Sequence, residues 1–166
     1  MSKITRIERK ILANQYTILE KVDPSNADDY KECREILECG YEADYSDILQ
    51  TVYDDPDTMS VKDCDYVGDV LQMYDMMQTA YKNGQTQNVD STMLAFPGFD
   101  GNNEGKFMSY ARFMRDHGKW KFLDLSSTDF NSHFPTHGRY AQMLQEWAAS
   151  KDKYRLTAED IVRILG

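Results

Sequence analysis

Residues 60–84 read SVKDCDYVGDVLQMYDMMQTAYKNG, and their spacing decides the fold class. Ser60-Val61-Lys62-Asp63 has the form of a capping box, in which a hydroxyl and a side chain three residues on satisfy N–H groups that a helix start leaves unpaired. From there Val61, Cys64, Val67, Val70, Leu71, Tyr74, Met77, Ala80 and Tyr81 recur in helical phase. Asn83-Gly84 then supplies a stop. At about 1.5 Å per residue such a helix crosses a domain, and its wide apolar face calls for packing on more than one side. It is expected to be the central helix of the core.

Upstream, Thr5-Arg6-Ile7-Glu8 fits a second capping box, followed by Ile4, Ile7, Ile11 and Ile18 at steps of three and four. The stripe is narrow. Asn14 lies inside it, where a polar residue fixes register between paired helices at a cost in stability. Asp23-Pro24-Ser25 breaks the chain, Asn26 is placed to cap a second helix through Tyr30, Cys33, Ile36 and Leu37, and Gly40 ends it. These two helices are expected to form a hairpin. Tyr45 to Tyr53 is a weaker helical stretch before Asp54-Asp55-Pro56-Asp57.

Downstream the character changes, because every Phe and Trp lies between Phe96 and Trp147. Phe107, Tyr110, Ala111 and Met114 mark a helix between the glycine-containing turn at residues 98–101 and Gly118. Tyr140, Met143, Leu144 and Trp147 mark the next, and Thr157-Ala158-Glu159-Asp160 caps a last one through Ile161, Ile164 and Leu165. Met73, Met76, Met77, Met108, Met114 and Met143 read as core filling. The only extended pieces are Thr92 to Phe96 and Trp120 to Leu125. The expectation is therefore an all-α, multihelical single domain over residues 1–166, of about six to eight helices, with at most one short two-stranded ribbon.

Composition bounds the function class. The chain has 166 residues, 41% of them apolar, enough for one core of ordinary size. No apolar run approaches the roughly 18 residues needed to cross a bilayer, and residues 1–10 are polar and charged. Cys33, Cys39 and Cys64 are odd in number and form no C-x-x-C pair, which suits reduced thiols in a cytoplasm. The net charge is -9. Residues 20–65 hold fifteen acids against Lys21, Lys31, Arg34 and Lys62. Such a surface repels phosphate backbones and anionic lipids, so neither nucleic acid nor membrane is expected as a partner.

Ile11-Leu12-Ala13-Asn14-Gln15-Tyr16 with Asp23-Pro24, then Gly98-Phe99-Asp100, then Tyr110-Ala111-Arg112-Phe113-Met114 form an ordered set of motifs. Phe130-Asn131, Pro135, Tyr140, Met143-Leu144 and Trp147 continue it. In this order the chain resembles the YfbU family of small prokaryotic proteins. The resemblance implies an all-helical fold and supplies no reaction. Because some relatives carry this region beside a helix-turn-helix domain, it also implies a ligand-sensing or regulatory role. His133 and His137 depart from the family's pattern, which puts any role of theirs outside its shared function.

The residues offer no complete catalytic set. His133 and His137 are spaced i, i+4, but Pro135 lies between them and H-E-x-x-H is absent; Asp124 or Asp129 would have to complete a metal site, and none is expected. G-x-S-x-G, the P-loop and a papain-like cysteine context are missing, and no cofactor is implied. Gly98-Phe99-Asp100-Gly101 reads as a turn whose following helix is capped by Asn102 or Asn103. Arg112 has the fork geometry to pair with a carboxylate, either an internal one such as Asp100 or that of a small ligand. Asn14, Gln15 and Tyr16, with Asn131, read as a buried hydrogen-bond network or a polar pocket. Asn14, Gln15, Tyr16, Asp100, Tyr110, Arg112 and Asn131 are the candidate ligand-binding residues. The leading expectation is a non-enzymatic regulatory or interaction domain that self-associates through its first helix into a homo-oligomer and holds a small molecule. The alternative is a small-molecule hydrolase or transferase using carboxylates and His133 or His137.

Overall fold

The computed structural model describes residues 4–52, 58–86, 88–120, 123 and 129–166. Among them are seven α-helices and no β-strand, so the fold is all-α. The chain divides into two compact units, Met1–Asp57 and Thr58–Gly166.

The first unit holds α1 (Arg6–Val22), α2 (Ala27–Cys39) and the short α3 (Tyr45–Leu49). Thr5 caps α1 as expected: its hydroxyl accepts from the Glu8 N–H while the Glu8 carboxylate accepts from the Thr5 N–H at 2.7 Å. Asn26 stands at the N-cap position of α2, but its side chain donates to Asp23 instead of capping. Gly40 ends α2 in the left-handed conformation, φ 77°. A Cβ there would lie 2.4 Å from Nη1 of Arg9, the same atom that donates to the Leu37 carbonyl at 3.2 Å. Glu20 on α1 pairs with Arg34 on α2 at 2.6 Å, closing the hairpin.

Of the isoleucine stripe, Ile4 packs against this unit's core, whereas Ile7, Ile11 and Ile18 do not. Ala13, Leu37 and Tyr45 are buried, with Ile4, Leu12, Tyr16, Ile36 and Ile48 packed around them. Ile7, Ile11 and Ile18 stay 74%, 53% and 61% exposed. The helix carries two apolar faces, and α2 took the one whose small Ala13 permits close approach.

The second unit is built on α4 (Val61–Lys82), joined by α5 (Gly105–Asp116), α6 (His137–Ala148) and α7 (Ala158–Leu165). The Ser60–Asp63 capping box starts α4, and Val67, Val70, Leu71, Met73, Tyr74 and Met77 along it are completely buried. Tyr74, Phe96, Phe99, Phe130 and Tyr140 form an aromatic knot with centroid separations of 5.4 Å for Tyr74–Phe96, Phe96–Phe130 and Phe99–Tyr140. Edge-to-face pairs of this kind contribute about 0.5–1.5 kcal/mol each beyond their burial.

The expected ribbon is not seen where the sequence placed it. Ser91–Leu94 winds into a 3₁₀ turn capped by Asp90, which satisfies the backbone locally and leaves no ladder for a neighbour. Most of the second piece, Trp120 to Leu125, lies outside the described residues. The β-type pairing among the described residues is a single parallel bridge, Phe99 to Asn131.

Candidate functional site

The motif residues 98–101 and 130–133 form one latch. The Phe99 N–H donates to the Phe130 carbonyl at 3.0 Å, and the Ser132 N–H donates back to the Phe99 carbonyl at 3.1 Å. Gly98, with φ 94°, comes so close that a Cβ would stand 2.2 Å from the Phe130 backbone. Its carbonyl accepts the Tyr140 hydroxyl at 2.7 Å. Phe130 and His133 are both left-handed, φ 63° and 59°, a conformation that costs a non-glycine residue roughly 1 kcal/mol or more. The complete burial of the Phe130 ring offsets that cost.

Asp100 and Asn131 are brought together here, and both serve the latch. Asp100, buried, accepts from Asn103 and from the Asn102 N–H. The Asn131 Oδ1 accepts the N–H groups of Gly101 and His133, each at 3.0 Å. Neither Asn102 nor Asn103 caps α5. Glu104 occupies that N-cap position, and its carboxylate turns to the start of α6. It accepts from the Thr136 N–H at 2.9 Å, the Thr136 hydroxyl at 2.7 Å, the His137 N–H at 2.8 Å and the Asp100 N–H at 3.0 Å. Burial pushes the Glu104 carboxyl up, but the bonds from Thr136, Asp100 and His137 outweigh it and hold it below the ordinary glutamate value.

Arg112 pairs internally, though with Asp129 rather than Asp100: its Nε donates to the Asp129 carbonyl at 2.8 Å, and the two charges lie 3.9 Å apart. The His137 ring packs on Tyr66, centroids 4.9 Å apart, and stacks on Phe107. His133 is exposed on the latch and shares no metal cluster with other His, Cys, Asp or Glu among the described residues. Asn14 and Gln15, in the first unit, are exposed rather than part of a buried network; Tyr16 is half-buried against Tyr30.

Of the expected residues, Tyr110 lines a groove among the described residues. A groove of about 510 Å³ runs along α4 past Asp65, Gly68 and Asp69, with Tyr110, Trp120 and Trp147 on its other walls. Lys153 and Tyr154 also line it. The Lys153 ammonium sits 4.9 Å from the Trp147 ring centre and 5.2 Å from that of Tyr154. Burial, then the neighbouring Cys64 thiol and the Asp65 charge, raise the Tyr110 phenol above its ordinary value. Trp120 Nε1 is buried with no hydrogen-bond partner among the described residues.

The family model described as the YfbU domain matches residues 2–166. The chain belongs to the YfbU family. A relative, the UPF0304 protein MJECS11 of Methanocaldococcus jannaschii, is 37% identical over 170 residues, covering 98% of each chain. Neither description of these YfbU proteins names a reaction. No helix among the described residues is long and apolar enough to cross a membrane.

The residues that sequence reasoning missed are Glu104 and the groove residues Asp65, Asp69 and Lys153. Asp65 and Asp69 stand one helical turn apart, which was a readable signal, yet charged residues at that spacing ordinarily mark a solvated face. Glu104 has one local partner, the Asp100 N–H, but those at residues 136 and 137 lie 32 and 33 residues away, beyond any local signal.

Proposed function

We propose that this protein is a non-enzymatic regulatory or interaction domain that pairs with a second copy of itself through α1. The observation that carries the reading is the order of exposed residues on one face of that helix: Ile7, Ile11, Asn14, Gln15, Ile18 and Val22. Their spacings of four, three, one, three and four read the same from either end. A two-fold axis requires such self-complementarity, because each contact must occur twice. Antiparallel pairing about the Asn14–Gln15 step sets Ile11 against Ile18 of the second copy and Ile7 against Val22. The two amides meet near the axis, where a polar pair fixes register.

Exposure supports the reading further. Val22 is 73% exposed, like the isoleucines, and four large apolar side chains on one helix face form a contiguous patch of the kind that marks interaction sites. The side chains of Asn14 and Gln15 make no hydrogen bond among the described residues, so their amides are free to bond across the axis. The seam is small, and the dimer it forms is concentration-dependent.

Light scattering on the eluting wild type tests this, with Ile11→Asp as control. The wild type should approach twice the chain mass as concentration rises, and the variant should remain at the chain mass with an unchanged helical circular dichroism spectrum. A wild type that stays monomeric, or a folded Ile11→Asp of unchanged dimer mass, defeats the proposal.

A further inference from the structure

We infer that the groove beside α4 is a binding site for a small organic ammonium ion. Its chemistry comes in two parts. Tyr110, Trp120, Trp147 and Tyr154 give it four aromatic walls, and Asp65 and Asp69 add two carboxylates with no ion-pair partner among the described residues. Aromatic faces attract a cation through their quadrupole, and carboxylates at the rim supply the opposite charge. Together they select a positively charged, partly apolar group over an anion or a neutral molecule.

Lys153 shows that the aromatic faces receive a cation. Its ammonium already lies over Trp147 and Tyr154, within the roughly 6 Å over which the attraction operates. The lysine backbone is held as well, since its carbonyl accepts the Trp147 indole N–H at 2.8 Å. The side chain is long and flexible, so an incoming ammonium competes with it for the same rings. Lys153 is thus an internal occupant that a ligand displaces.

Gly68 points the same way. It sits in the middle of the 22-residue α4, where glycine costs about 1 kcal/mol relative to alanine. A Cβ at this position would meet nothing within 4 Å, so no neighbouring side chain or backbone requires the glycine. Gly68 lines the groove, and the missing side chain leaves its floor open. At about 510 Å³ the groove falls in the range of small-molecule sites.

The protein reports on its own site, because Trp120 and Trp147 are its two tryptophans and both line the groove. Titration of the full chain with choline should change tryptophan fluorescence saturably. The neutral isostere of choline, with carbon in place of the nitrogen, should bind about tenfold more weakly. Lys153→Met should tighten choline binding, the double variant Asp65→Asn, Asp69→Asn should weaken it, and Gly68→Leu should abolish it with the helical spectrum retained. Absence of saturable binding to wild type and Lys153→Met alike overturns the inference, as does equal binding of the isostere. Response to a lysine-rich peptide but not to choline overturns it in favour of a protein partner.

Discussion

Glu104 accepts the backbone N–H of His137 at 2.8 Å, so the residue that opens α5 caps α6. The first N–H groups of any helix lack partners within it, and here a buried carboxylate from a distant position satisfies two of them, Thr136 and His137. The negative charge also faces the positive end of the α6 dipole. Replacing Glu104 with Ala leaves these donors and the Thr136 hydroxyl unpaired inside the protein, at a cost of about 1–3 kcal/mol. Urea denaturation should show that loss, and Glu104→Gln, which keeps one acceptor oxygen, should recover part of it.

Acid should destabilise the protein in a defined window. Asp23 accepts from the Ser25 hydroxyl, the Asn26 amide and the Tyr30 hydroxyl, which together hold its pKa down at about 2, from an ordinary 3.8. A depressed folded pKa gives stability that is present in full above the unfolded value and disappears as pH falls through the folded one. Glu104 is shifted in the same direction. Melting temperature should therefore hold down to about pH 5 and fall between about pH 4 and pH 2. Asp23→Asn should flatten part of that fall.

Asp75 has the opposite sign. Its Oδ1 is buried without a hydrogen-bond partner among the described residues, and burial raises its pKa against the opposing pull of Lys82. A carboxylate whose folded pKa is raised subtracts stability once pH exceeds the unfolded value, and the penalty vanishes in acid. Asp75→Asn should raise the melting temperature at pH 7 and change it little at pH 3, as thermal melts at the two pH values will show.

Gly98→Ala should be far more damaging than an ordinary surface change. The new Cβ would meet the Phe130 backbone at 2.2 Å, and backbone, unlike a side-chain tip, has no rotamer with which to move aside. The φ of 94° adds strain for any L side chain. The expected loss is about 3 kcal/mol or more, with the near-ultraviolet signal of the aromatic knot diminished. A variant as stable as wild type would contradict the latch described here.

The capping boxes at Thr5, Ser60 and Thr157 were readable in the sequence because each is written within four residues. The core face of α4 was readable for a similar reason: only one of its faces carries a continuous apolar run. Helix α1 instead carries two such faces. Leu12, Ala13 and Tyr16 compete with Ile7, Ile11 and Ile18 at equally helical spacing, and periodicity does not say which face a neighbour will take. Tyr110 was singled out for its place in a motif, but the groove it lines also needs Asp65 on α4, Trp147 on α6 and the loop residue Lys153. Those residues meet only through packing, and each alone reads as solvated charge or core. Asp100 and Asn131, marked in the sequence as candidate ligand-binding residues, tie one loop to another in the structure.

The most direct test of the central claim is disulfide cross-linking across α1. In a background with Cys33, Cys39 and Cys64 replaced by serine, one preparation carries Ile11→Cys and a second Ile18→Cys. Antiparallel pairing sets these two positions opposite each other, whereas two copies of residue 11 are offset by seven residues, about 10 Å along the helix and beyond the roughly 7 Å Cα separation a disulfide spans. The account predicts that mixing and oxidising the two preparations yields the heterotypic dimer in excess over either homotypic one. No cross-link, or homotypic dimers formed as readily as the mixed one, would contradict it.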